Sequence, residues 1–209
     1  NLLFKIFLAS ILINFLITYF LNSYSLLSNF IIISALFLVI SSLMDFNKSF
    51  KKNEINSSRI ISHVAFGFLI LFIGLNHNFS LEKDFNLKLG EKRKFDNYSI
   101  EFKDLRLKDF ENYKAVVGEF QINNLKENFI QFLYPEIRIY DNPKTITYEA
   151  SIKSSFLKDY YITMSNVDRS DYYNIKFQKK PFMMWIWISV IFISLGGFLR
   201  FFHNAKKNY

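Results

Sequence analysis

Charge is laid out along this chain in blocks, and that layout constrains the fold more than any other feature. Four stretches are almost free of it: residues 2–21, 26–44, 60–76 and 182–202, interrupted only by Lys5, His63 and Arg200. A helix needs about 20 predominantly apolar residues to cross the hydrocarbon core of a bilayer. The four stretches therefore read as membrane spans. Residues 77–181 instead carry 18 basic and 16 acidic side chains, leaving most of the chain's net charge of +8 outside them.

That remaining charge orients the spans. Residues 45–59 hold Lys48, Lys51, Lys52 and Arg59 against Asp45 and Glu54, and the tail holds Arg200, Lys206 and Lys207. Basic flanks stay on the cytoplasmic side, so every loop fits one topology. Residues 1–44 form two transmembrane helices, 45–59 a cytoplasmic loop and 60–76 a third helix. Residues 77–181 form an exported domain, 182–202 the fourth helix and 203–209 a cytoplasmic tail. Trp185 and Trp187 open the last span at the outer interface, where amphipathic indoles settle. The high basicity thus reflects topology, and nucleic acid is not an expected partner. The first span leads straight into a second with no small-residue cleavage site, which argues against a signal peptide. Because the sequence opens at Asn1 inside an apolar run, it is expected to be a piece of a longer membrane protein.

Within 77–181 the period changes to two. Tyr98–Lys103, Gly118–Ile122, Glu136–Tyr140 and Tyr173–Gln178 alternate, and 85–89, 145–153 and 159–165 are β-like. Turn-forming clusters such as Asn123-Asn124 and Asp141-Asn142-Pro143 separate them. The fold class expected is integral membrane, with about four α-helical spans. To these is added an exported all-β domain, a small barrel or sandwich of about seven strands. Cysteine is absent, which excludes disulfides, thiolate metal sites and thiol redox chemistry. No phosphate loop, nucleophile elbow or His–carboxylate pair stands out. Asp168-Arg169-Ser170-Asp171 reads as a turn. Tyr134, Tyr140, Tyr148, Tyr160 and Tyr161 are expected to pack the sheet.

His63 is the only ionisable side chain in the third span. An ionisable group in hydrocarbon is costly and is a functional candidate by default; imidazole is also the usual protein ligand for haem iron. Two readings of His63 stand, axial ligand and hydrogen-bonded packing residue. Gly67 and Gly74 share its face and suit either a flat macrocycle or close helix packing. Arg59, one turn earlier, either pairs with a propionate or merely flanks the span. His77 reads as an interface histidine and His203 as a solvated one.

Three local patterns then coincide. One is Arg59-Ile60-Ile61-Ser62-His63-Val64-Ala65-Phe66-Gly67. Another is Gly90-Glu91 followed by Tyr98-Ser99-Ile100-Glu101-Phe102, Leu133-Tyr134-Pro135-Glu136-Ile137-Arg138-Ile139-Tyr140, Tyr148-Glu149-Ala150 and Leu157-Lys158-Asp159-Tyr160-Tyr161-Ile162. The third is Lys180-Pro181-Phe182-Met183-Met184-Trp185-Ile186-Trp187 leading to Gly196-Gly197. In this order, over residues 45–205, they resemble the C-terminal part of the CcmF family of cytochrome c-type biogenesis proteins. These are haem lyase components of bacterial and some mitochondrial membranes. The resemblance implies a periplasmic placement for 77–181 on the bacterial inner membrane, or the equivalent side of a mitochondrial inner membrane. It implies apocytochrome c, a haem chaperone, other maturation subunits and the upstream half of CcmF as partners. It further implies a membrane haem b held between histidines of two helices, and His63 falls on the second of these. As an enzyme the chain would be part of a lyase without its upstream haem-handling segment. Two alternatives stay open: a non-catalytic membrane-anchored assembly scaffold, and the paralogous lyase component dedicated to a nitrite-reductase cytochrome.

Overall fold

The computed structural model describes residues 2–21, 25–51, 57–127, 129–167 and 170–207. Residues 22–24 between the first two expected spans, residues 52–56 of the expected 45–59 loop, and Asp168-Arg169 of the expected 168–171 turn lie outside the described residues. The chain divides into two compact units, residues 1–80 with 156–158 and 181–209, and residues 81–155 with 159–180.

The first unit holds α1 (Leu2–Leu21), α2 (Leu26–Lys51), α3 (Ser57–Phe79) and α4 (Met183–Lys207). Among the described residues these four helices are long and apolar enough to cross a membrane. They pack in chain order, α1 on α2, α2 on α3 and α3 on α4. Small residues set the closest approaches, as expected where lipid removes the hydrophobic drive between helices. A Cβ on Gly67 would stand 2.6 Å from Val39 Cγ2, and one on Gly74 2.9 Å from Ile31 Cγ2, both on α2. On the other side Ser58 Oγ donates to the Gly196 carbonyl of α4 at 2.6 Å.

The second unit is a β-sandwich. One sheet has the order β1-β10-β9-β8, from Leu81–Leu87, Tyr173–Pro181, Lys158–Asn166 and Ser151–Lys153. The other runs β2-β3-β4-β6-β7, from Lys92–Phe95, Tyr98–Asp109, Tyr113–Asn124, Glu136–Asp141 and Lys144–Glu149. In that sheet β5 (Phe129–Leu133) pairs the far half of β4. The ten strands among the described residues exceed the seven or so expected. The stretch 145–153 breaks at Ala150, so that β7 joins one sheet and β8 the other. A bulge at Lys103 breaks the alternation of β3, so Phe102 and then Leu105 share the inner side opposite Phe120 and Gly118. Between the sheets Ile100, Phe102, Phe120, Ile162, Met164, Ile175 and Phe177 are fully buried.

Candidate functional site

Helical spacing decides which side chains of α3 face which neighbour. Gly67 and Gly74 turn to α2, while Ser58 and Ser62 turn to α4. Arg59, His63, Phe66, Ile73 and His77 are separated by steps of four, three, seven and four, the spacing of a single face, and all five are exposed. Ile70, half-buried, fills the step between Phe66 and Ile73. This stripe lies between the α2-facing and α4-facing sides and is apolar through its middle, with Arg59 and His63 at one end and His77 at the other. The two histidines are 14 positions apart, about 21 Å along the helix.

Among the described residues the imidazole of His63 has no hydrogen-bond partner and is part of no cluster of three or more His, Cys, Asp or Glu side chains. Gly67 and Gly74 are occupied by contact with α2. Of the two sequence readings of these glycines, the structure therefore supports close helix packing. Arg59 does lie on the exposed stripe with His63, one turn away.

The opposite side of α3 carries a different feature, unforeseen from sequence. A cleft of about 320 Å³ runs between α3 and α4, lined by Ile61, Val64, Phe68, Phe72, Trp185 and Phe192 among others. The ring of Phe72 stacks on Phe68 at 5.9 Å and on Trp185 at 5.5 Å. Ser189 is the cleft's single hydroxyl, and it is satisfied by the Trp185 carbonyl at 2.8 Å. The cleft thus presents hydrocarbon and ring faces and little else. Trp187 is 64% exposed while Trp185 packs inward, as their spacing on a helix requires.

In the β domain the outer face of the larger sheet carries paired charges. Arg106 bridges Asp104 at 2.7 Å and Glu119 at 3.1 Å, and Arg138 meets Glu136 at 2.8 Å while lying over the Tyr113 ring. Bonds to Glu136 and Tyr140 raise the Arg138 pKa, so it stays cationic. Asp104 is held below the usual carboxylate range, first by Arg106 and then by the Leu105 N–H. A shallow hollow of about 340 Å³ beside them includes Tyr134, which is 49% exposed. Tyr160 does pack the core, and its hydroxyl sits 3.4 Å from that of Tyr98. Burial, followed by that contact, pushes the Tyr98 phenol above its usual range. Tyr134 and Tyr148 are instead about half exposed. These are structural pairs, and among the described residues none sets a nucleophile in line with a base.

A family model described as the CcmF C-terminal beta-sandwich matches residues 78–181. The chain is 27% identical to the cytochrome c-type biogenesis protein CcmF of Haemophilus influenzae over 149 residues, which cover 71% of this chain and 23% of that protein. To the protein of the same name from Escherichia coli it is 25% identical over 144 residues, covering 68% of this chain and 22% of that one. The chain thus spans less than a quarter of the length of these curated relatives. A solved structure, cytochrome c heme lyase CcmF, matches with a TM-score of 0.67 at 16% identity, over 92% of this chain and 33% of that chain. At that identity the likeness concerns the fold.

Proposed function

Residues 78–181 belong to the CcmF C-terminal β-sandwich family, and from that premise we propose that the chain is the C-terminal portion of a CcmF-type haem lyase component in cytochrome c maturation. Its helices sit in a bacterial inner membrane, with the loop before α3 and the tail in the cytoplasm and the β domain in the periplasm. The asymmetry of Lys and Arg across the spans supports this orientation.

The observation that carries the proposal is the exposed, unpartnered imidazole of His63 on an apolar face of a spanning helix. Such a group is unfavourable in hydrocarbon unless something outside the described residues pairs with it. A b-type haem fits: His63 would hold its iron through an imidazole nitrogen, and Phe66 and Ile70 would supply apolar surface beside it. Arg59, one turn towards the cytoplasm, offers charge-assisted bonds to a propionate. When bound, such a haem supplies one-electron chemistry that keeps incoming haem iron reduced. The β domain, with its ion-paired outer sheet, is a docking or structural element for partners such as apocytochrome c and the haem chaperone.

The test is absorption spectroscopy of the intact protein in detergent, comparing wild type with His63→Ala and His77→Ala. Loss of the reduced b-type bands in His63→Ala alone, with near-normal yield and proteolytic stability, is the expected result. Unchanged bands in a folded His63→Ala protein would reduce this segment to an assembly scaffold.

A further inference from the structure

Where the β8–β9 connection enters β9, three residues group with the helices and not with the sandwich. Phe156, Leu157 and Lys158 belong to the helical unit, while Ser155 and Asp159 on either side belong to the β domain. The Leu157 carbonyl accepts the backbone N–H of Phe182 at 2.8 Å, and α4 begins at the next residue, Met183. Phe156 meets the Trp185 ring edge-on at 4.8 Å, and Trp185 stacks in turn on Phe72. These contacts fix the level of the short segment: it lies beside the first turn of a helix that is long and apolar enough to cross a membrane.

At that level large apolar side chains point outward. Phe156 is 56% and Leu157 57% exposed, and Met184 and Trp187 on the neighbouring turn are exposed as well. Basic residues lie near them in the sequence: Lys153 and Lys158 on either side of Phe156 and Leu157, and Lys179 and Lys180 shortly before α4. The one acid in these stretches, Asp159, is buried and accepts hydrogen bonds from the Ser155 N–H and the Tyr161 hydroxyl. Exposed aromatic and aliphatic side chains with lysines close by in the sequence match the boundary between headgroups and acyl chains of an anionic leaflet.

We propose that Phe156 and Leu157 form a membrane-interface anchor, with their side chains inserted at the headgroup–acyl boundary of an anionic phospholipid surface. Apolar insertion supplies the hold and the lysines supply attraction to lipid phosphate. The occupant is lipid because α4 continues from this level into outward-facing Val190, Ile191 and Leu195, a surface continuous with the bilayer core. The inference rests on the helices crossing a membrane and is independent of any haem at His63.

The 209 residues contain no cysteine, so an introduced thiol is the only one among them. Leu157→Cys keeps the backbone carbonyl that bonds Phe182, and Glu111→Cys in the exposed β3–β4 turn is the control. The intact protein, with thiols elsewhere replaced, is labelled with bimane and reconstituted in phosphatidylethanolamine–phosphatidylglycerol vesicles. Shallow doxyl-phosphatidylcholine should quench the label at 157, and aqueous iodide should quench it several-fold less than at 111. Equal iodide quenching at both positions overturns the anchor. Protection from both quenchers also overturns it, because another protein surface then covers the segment. Either result leaves the spectroscopic test of His63 unaffected.

Discussion

The helical unit and the β domain treat the same residue types in opposite ways. In α1, Ser10, Asn14 and Thr18 are buried at 0%, 6% and 4% exposure, while Leu12 and Phe15 are about 60% exposed. In the sandwich Phe102, Phe120 and Phe177 are fully buried and the outer face is ion-paired. Lipid tails are as apolar as leucine, so burying leucine in a spanning helix gains little over leaving it out, and small or polar residues take the contacts. Their hydroxyls are satisfied locally: Ser10 donates to the Ile6 carbonyl at 2.9 Å and Thr18 to that of Asn14 at 3.1 Å. In water the gain from apolar burial returns and the core is aromatic. Which side chains hold each region together therefore follows from its solvent.

The largest expected effect breaks the β side of the comparison. Phe120 stacks on Phe102 with centroids 4.5 Å apart, and a Cβ on Gly118 would come within 2.9 Å of Met164 Sδ, so the surroundings are already filled. Phe120→Ala should cost about 3–5 kcal/mol through lost transfer energy and an unfilled cavity. Proteolysis across a urea series should show residues 81–180 unfolding at a markedly lower midpoint. A shift of under 1 kcal/mol would mean that the sheets close over the gap and the core is not close-packed.

On the helical side the sharper test inserts a side chain. A Cβ on Gly196 would collide with the Ser62 hydroxyl and lie 3.0 Å from the Ser62 N and 3.1 Å from the Ser58 carbonyl oxygen, both backbone atoms of α3. At Gly197 nothing lies within 4 Å. Gly196→Val should therefore cost about 1–3 kcal/mol by overpacking, and Gly197→Val much less. Thermal unfolding in detergent, read by the tryptophans of α4, separates the two. Equal losses at both positions would show that backbone conformation, and not contact with α3, makes glycine necessary there.

The membrane character of the helices was legible because charge segregation is a local property of the sequence. So were the strands that alternate, such as Tyr98–Lys103 and Tyr173–Gln178, since one face is buried and the other wet. The strands that escaped notice lack that signal. Lys92–Phe95 has one apolar residue in four and is a strand because Lys92 pairs Glu101 and Lys94 pairs Ser99. Phe129–Leu133 is almost continuously apolar, with Phe129, Ile130 and Phe132 exposed at a sheet edge. Neither fact is written in its own residues. His63 stood out as an ionisable group in an apolar run, but its facing direction depended on which glycines met α2. The α3–α4 cleft left no trace in the sequence, because it is set by where two helices fail to touch.

The smallest expected effect concerns the outer face of the larger sheet, where water should make ion pairs weak. Asp104 accepts from Arg106 at 2.7 Å and from the Leu105 N–H at 2.8 Å, and the carboxylate is 44% exposed. Its folded pKa lies below the ordinary 3.8. The stabilisation linked to its charge is therefore fully present above 3.8 and is lost as pH falls through the lower folded value. Asp104→Asn keeps an oxygen for the Leu105 N–H and removes the charge. Wild type should exceed the variant slightly at neutral pH, with the gap closing in acid and shrinking with added salt. Urea midpoints of both proteins at neutral and acid pH measure it. A gap that persists unchanged in acid would assign the effect to geometry, making this exposed pair behave like the satisfied hydroxyls of the helices, whose contribution does not depend on charge.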